Sequence, residues 1–113
     1  MDGSAEAPTG DQLVAILGTL ANPHRLRVVA ALTDGRNYVS QLARDLGISR
    51  PLLQVHLHKL QSAGLVSAHL EVSEEGKAMK FYEVTAFALT LTPEVIALAA
   101  RTLTVRVDGG EQR

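Results

Sequence analysis

The chain has no cysteine and no tryptophan, and aromatic residues make up only 4% of it. Without cysteine there is no disulfide, no thiolate metal ligand and no cysteine nucleophile. The absence of disulfides fits a cytoplasmic setting. With so few rings, aliphatic side chains must do most of the packing. A surplus of charge is missing too: 11 basic residues stand against 12 acidic ones, for a formal net charge of −1. The total therefore does not advertise a nucleic-acid binder. No apolar run reaches the length of a membrane span, and the start of the chain lacks a basic-then-apolar secretion signal. There is no Gly-rich phosphate loop, no Gly-x-Ser-x-Gly, no His-Glu-x-x-His and no pair of carboxylates on one expected element. An enzyme is the least favoured class.

What is present is 46% hydrophobic content in 113 residues, enough for one small domain. Residues 1–9 and 105–113 read as flexible ends around a domain at 10–104. Asp11–Leu20 reads as a helix carrying Leu13, Val14, Ile16, Leu17 and Leu20. Asn22 then caps a second helix with Pro23 at its first position. Leu26, Val28, Val29 and Leu32 are expected on its buried side, and Asp34-Gly35 ends it.

The most informative stretch is residues 38–66, YVSQLARDLGISRPLLQVHLHKLQSAGLV. It predicts a helix near Val39–Leu46, a turn at Gly47, a helix near Arg50–Ala63 capped by Ser49, and then a strand. Leu42, Ala43, Leu46, Ile48, Leu53, Leu57 and Leu60 fall on one inner side, with His56 at its margin. This is the pattern of a helix-turn-helix, whose second helix can enter a DNA major groove. Val66, Ala68, Leu70 and Val72 alternate with polar residues as a strand does, Ser73–Lys77 is a polar turn, and Ala78–Val84 returns. Phe81 and Tyr82 are adjacent, so only one of them can point inward. Phe87, Leu89 and Leu91 alternate as a further extended segment. Thr92-Pro93 opens a last helix running to Leu103. The expected fold is mainly α with a β-hairpin wing, a winged helix-turn-helix in the order helix, helix, helix, helix, strand, strand, helix.

Several local motifs resemble the ArsR/SmtB family of small winged-helix repressors. Asn22-Pro23-His24-Arg25-Leu26 is similar to the opening of that family's second helix. Gln41-Leu42-Ala43, Leu46-Gly47-Ile48-Ser49, His56-Leu57 and Leu60 through Gly64-Leu65-Val66 are similar to its helix-turn-helix core, and Glu75-Gly76-Lys77 with Phe81-Tyr82 to its wing. The resemblance covers roughly residues 11–104. It implies a homodimer that binds double-stranded DNA to regulate transcription, with the first and last helices packed against the partner subunit. Both helices are more apolar than one small core demands. Leu13, Ile16, Leu17 and Leu20, with Val95, Leu98, Ala99 and Leu103, are the expected interface. A tight monomeric core is the alternative.

On a helical wheel Leu53, Leu57 and Leu60 leave Pro51, Val55, His58 and Ser62 facing away from the core, with Arg50, Gln54 and Lys59 on the flanks. Gln54 can donate and accept in one plane, as adenine requires, and Arg50 suits guanine or a phosphate. Val55 stands where the family often carries a polar or basic residue, and suits a thymine methyl. Ser49 combines capping with a phosphate contact. Arg44, Lys59, Lys77 and Lys80 read as phosphate contacts, or as a solvated charged face. From Arg36 to Lys80 there are six basic residues and four acidic ones, a local positive balance. Glu74 and Glu75 beside Lys77 weaken the wing tip as an anion binder.

Many members of the family sense metals, and the resemblance places one common site at Tyr38-Val39-Ser40 and another on the last helix. The first has no thiolate and the second only Glu94, so no metal site of the familiar kind and no cofactor are expected. His56 and His58, two apart on a helix, point to different sides and cannot chelate one ion together. His24 begins a helix, and His69 alternates outward on a strand. A non-standard intersubunit site of imidazole and carboxylate, weakly binding nickel or zinc, is one alternative. The other is a winged-helix interaction module with a regulatory protein partner. No membrane association is expected.

Overall fold

Most of the helices begin where a side chain supplies a cap. In the computed structural model, which describes residues 7–104, Thr9 and Gln12 bond reciprocally at the start of α1 (Gly10–Leu20): Gln12 N–H donates to Thr9 Oγ1 at 3.1 Å, and Thr9 N–H to Gln12 Oε1 at 2.9 Å. This is a capping box, and it moves the helix start ahead of the expected Asp11. Asn22 Oδ1 accepts from Arg25 N–H at 3.2 Å and opens α2 (Pro23–Thr33), with Pro23 in the first turn. Ser49 Oγ accepts from Leu52 N–H at 3.2 Å and opens α4 (Arg50–Ser62). Thr92 Oγ1 accepts from Val95 N–H at 3.1 Å and opens α5 (Pro93–Ala100), which stops short of the expected Leu103. Helix α3 (Val39–Leu46) ends at Gly47, whose φ of 69° lies in the left-handed region. Ile48 N–H then reaches back to Ala43 C=O at 3.2 Å, closing the turn of the helix-turn-helix.

The sheet has three strands, one more than the hairpin expected. Strand β1 (Asn37–Tyr38) is only two residues long, too short to leave a periodic signal, and pairs antiparallel with β3 (Ala78–Val84). Strand β2 (Val66–Val72) pairs with the other edge of β3, from Val66 opposite Val84 to Val72 opposite Ala78. Thr85 ties the hairpin base to the end of α4 through Leu65 C=O and Gly64 C=O. Tyr82 is the buried member of the adjacent aromatic pair and Phe81 the half-buried one. The alternation at Phe87, Leu89 and Leu91 forms no strand.

The chain divides into two compact units. One runs from Gly18 to Phe87, and the other joins the residues up to Leu17 with those from Ala88 on. In the central unit Val28, Leu32, Leu42, Leu53, Leu57, Leu60, Leu65, Val66 and Tyr82 form the core. Leu46 and Ile48 are half-buried. Leu26, expected inside, is 54% exposed, because Val28 and Leu32 already define the inner side of α2. In the terminal unit Gly10 meets α5 closely: a Cβ there would lie 2.3 Å from Ala99 O. Gly10 N–H donates to Thr102 Oγ1 at 2.8 Å, and Asp11 accepts from Thr104 N–H at 3.0 Å and from its hydroxyl. Leu13 and Ala99 are buried, Ile16 and Val95 half-buried, and Val14, Leu17, Ile96, Leu98 and Leu103 exposed; Leu20, at the end of α1, falls in the central unit and is half-buried. Residues 1–6 and 105–113, expected as flexible ends, lie outside the described residues. No helix among the described residues is long and apolar enough to cross a membrane.

Candidate nucleic-acid interface

Helix α4 fixes the geometry of the site. Its Leu53, Leu57 and Leu60 are fully withdrawn from water, so residues on the opposite side must face outward. Arg50, Pro51, Gln54, Val55, His58, Lys59 and Ser62 are all exposed, as are Ser49 and Arg44. Between the start of α4 and the wing lies a groove of about 550 Å³. Arg50 and Gln54 line it from α4, Lys77 and Lys80 from the wing, and Tyr38 and Ser40 from the start of α3. Four expected site residues, Arg50, Gln54, Lys77 and Lys80, are thereby brought together, although Lys80 is 26 residues from Gln54. In the sequence Tyr38 and Ser40 stand out only as positions without a thiolate. What puts them at the groove is the pairing of Tyr38 with Phe81, which local periodicity does not reveal.

The remaining sequence-predicted residues lie apart from that groove. Arg44 donates to Gln41 Oε1 at 2.8 Å, and Gln41 donates to Asp45 at 2.8 Å. Ser49 uses its hydroxyl as the α4 cap. The wing tip closes through Ser73, whose N–H donates to Lys77 C=O at 2.8 Å and whose hydroxyl donates to Glu75 at 3.4 Å. Lys80 Nζ stands 5.6 Å from the centre of the Tyr82 ring.

Arg36 is one of the six basic residues of this half, yet its charge is matched locally. Its guanidinium forks onto both oxygens of Glu71 and lies 4.3 Å from the Phe81 ring centre. It also donates to His69 Nε2 at 3.1 Å. The Arg36 hydrogen bonds hold the Glu71 carboxyl below its usual range, and Glu71 in turn raises Arg36. The positive character of the candidate face therefore rests on Arg44, Arg50, Lys59, Lys77 and Lys80.

His56, expected at the margin of the core, is 5% exposed. Arg25 Nε donates to its Nδ1 at 3.1 Å, and Arg25 also reaches Thr19 C=O at 3.3 Å. The neutral ring must then carry its proton on Nε2, which is buried without a hydrogen-bond partner among the described residues. An unpaired buried donor costs about 1–3 kcal/mol. His24 stacks on the same ring with centroids 5.3 Å apart. Burial, then Arg25 and His24, push His56 below the ordinary histidine range.

The histidines do not converge into a ligand set. His24 stacks on His56, His69 contacts Arg36, and His58 is exposed on α4. Among the described residues no group of three or more His, Asp or Glu side chains could hold a metal ion. Tyr38, Val39 and Ser40 offer no thiolate, and α5 offers only Glu94. The donors at both familiar family positions do not fit a metal.

A tight helix-turn-helix followed by a β-hairpin wing defines this chain as a winged helix-turn-helix protein. The family described as bacterial regulatory protein, arsR family, matches residues 22–68. A curated relative, an uncharacterized HTH-type transcriptional regulator from Methanocaldococcus jannaschii, is 34% identical over 77 residues, 68% of this chain and 80% of that protein. The HTH-type transcriptional regulator CmtR of Mycobacterium tuberculosis is 44% identical over 62 residues, 54% of this chain and 52% of that one. Among solved structures, the homodimeric winged helix-turn-helix DNA-binding domain Mb0332 from Mycobacterium bovis, determined by NMR, is similar with a TM-score of 0.59. It is 26% identical, and the match covers 80% of this chain and 74% of that one. The chain belongs to the ArsR family. It is a transcriptional regulator with a winged helix-turn-helix DNA-binding domain, not an enzyme.

Proposed function

We propose that the chain acts as a homodimer that binds a palindromic promoter site sequence-specifically. The observation that carries this reading is the convergence of Arg50, Gln54, Lys77 and Lys80 on one groove beside the outward face of α4. Gln54 and Arg50 read base edges. Lys59, Lys77, Lys80 and Arg44 neutralise phosphates, and Ser49, Val55 and His58 complete the contact face. Two symmetry-related copies of α4 would enter successive major grooves, with half-sites about 10 bp apart or a near multiple of that. The dimer contact is assigned to α1, α5 and the residues just after α5, where Leu17, Leu98 and Leu103 are exposed and Ile16, Leu20 and Val95 half-buried. The similar Mycobacterium bovis domain is itself homodimeric. The proposed compartment is the cytoplasm. No metal switch of the familiar kind is assigned, so stoichiometric zinc or nickel should leave DNA affinity unchanged.

Footprinting on the promoter region tests the geometry, and two substitutions test the roles. Gln54→Ala should cost about 1–3 kcal/mol at the preferred site and relax base preference there. Lys59→Ala should weaken all sequences alike and reduce the salt slope by about one. Protection of a single asymmetric half-site, or an unchanged affinity ratio in Gln54→Ala, would contradict the reading. The acidic Glu74-Glu75 at the wing tip and the apolar Val55 favour a second reading, a protein-interaction face. Salt separates the two: binding through several phosphates weakens steeply as salt rises, whereas an apolar protein contact does not.

A further inference from the structure

We propose that α4 recognises thymine by its C5-methyl group, through Val55 and Pro51; this rests on reading α4 as the helix that enters the major groove. Looking out from the core, the middle of the α4 face carries Pro51, Val55, His58 and Ser62, all exposed. It holds no guanidinium, ammonium or carboxylate. Val55 is 51% exposed and Leu52, one turn earlier at its side, is 39% exposed. Pro51 has no backbone N–H to offer. Over the first turn and a half, the part of a recognition helix that reaches base edges, the outermost surface is hydrocarbon. Single exposed apolar residues need no explanation. Here three are contiguous, and the cations Arg50, Lys59, Lys77 and Lys80 frame them.

The complement of such a surface is a polyanion with an apolar group displayed inside it. In the major groove that group is the thymine methyl, the one apolar substituent on any base edge. A valine makes no hydrogen bond, so it favours thymine by burying the methyl. Cytosine, adenine and guanine display no such methyl at that point. An apolar protein partner would not need the cationic frame. Gln54, on the groove side of the helix, remains free to read a neighbouring adenine.

The test uses the full chain and a duplex selected by it from a random pool, with affinity first compared against a scrambled duplex. Each thymine is then replaced by uracil, which deletes the methyl and keeps every hydrogen-bonding group and phosphate. Wild type should lose roughly fourfold in affinity at the contacted position, the factor expected for one buried methyl-sized group. The loss should be roughly fifteenfold when both half-sites are changed. The uracil penalty should shrink in Val55→Ala. Because Val55 is exposed, this variant should keep the wild-type circular dichroism melt. Equal affinity for uracil at every position, with site preference intact, overturns the methyl proposal alone. So does a uracil penalty that survives undiminished in both Val55→Ala and Pro51→Ala. Absence of any preference over scrambled DNA overturns base reading by α4, and this proposal with it.

Discussion

In the unit from Gly18 to Phe87, Leu32, Leu42, Leu53, Leu57, Leu60 and Leu65 are almost wholly removed from water. In the unit made by the two ends of the chain, Val14, Leu17, Ile96, Leu98 and Leu103 stay in contact with it. Both units use the same aliphatic vocabulary, so composition does not separate them. The difference lies in what surrounds each apolar face. Helices α2, α3 and α4 close on one another and on the sheet, so the leucines between them are shielded, while Leu26, Val55, Leu70 and Val72 face outward. In α1 and α5 apolar residues occupy more than one side, and a single chain covers only part of them. Large exposed apolar patches, as opposed to single exposed residues, mark interaction sites. The central unit thus holds a closed core and carries the face proposed above for DNA. The terminal unit leaves much of its apolar surface uncovered, which is the surface assigned above to the proposed dimer contact.

This contrast predicts unequal responses to the same truncation. Leu57→Ala, at a position with no exposure, should cost about 2–5 kcal/mol of unfolding free energy in urea. Leu98→Ala, at a position 53% exposed, should leave the central unit's stability unchanged and act only on self-association. If Leu98→Ala lowers the stability of the central unit as much as Leu57→Ala does, the division is wrong.

A second probe enters the terminal unit from inside. Gly10→Ala would set a methyl carbon 2.3 Å from Ala99 O and 2.6 Å from the Leu103 side chain. Neither α1 nor α5 can accept it without moving, at a cost of about 1–3 kcal/mol. Hydrogen exchange should quicken in α1 and α5 while α4 keeps its protection. Uniform acceleration through both units would erase the distinction drawn here.

The smallest expected effect concerns pH and the central unit alone. His56 is held below the ordinary histidine range by burial and by Arg25 and His24, so the folded chain resists a proton that the unfolded chain accepts near pH 6.5. Stability should therefore be level above that value. It should fall as pH drops through it, then level off once the folded state is protonated too. The second proton would have to sit on Nδ1, where Arg25 Nε already donates. His56→Asn keeps an acceptor near that point but cannot be charged, and should flatten this part of the profile. Urea melts from about pH 7.5 to about pH 5.5 measure it. An identical acid loss in wild type and His56→Asn would place the titration elsewhere.

Much of this architecture was legible from residues alone, because helix starts announce themselves through one side chain and its near neighbours. Asn22-Pro23, Ser49 and Thr92-Pro93 each cap where expected, and Gly47 supplies the left-handed turn. Thr9 and Gln12 form the same kind of signal, with Thr9 ahead of the expected start at Asp11. What was not legible depends on partners distant in sequence. Strand β1 exists only because β3 returns to it. Arg36 counts as a free cation until Glu71 is seen beside it. Leu26 lies two residues from Val28 and so on the other side of α2 from Val28 and Leu32, which only the packing identifies as the inner side. His56 looked marginal on the wheel because its neighbours, Arg25 and His24, come from another helix. The groove formed by Arg50, Gln54, Lys77 and Lys80 likewise required the wing to be folded back.

The central claim is that a folded central unit reads DNA specifically only when the terminal helices pair two chains. Sedimentation and footprinting of wild type beside a Leu17→Glu, Leu98→Glu double variant test it most directly. The account predicts a wild-type dimer protecting two half-sites. It predicts a monomeric variant whose α4 amides remain protected from exchange, and which keeps weak, salt-sensitive DNA binding but loses the paired footprint. A well-folded wild-type monomer at micromolar concentration, or a monomeric variant that still protects both half-sites, would contradict it.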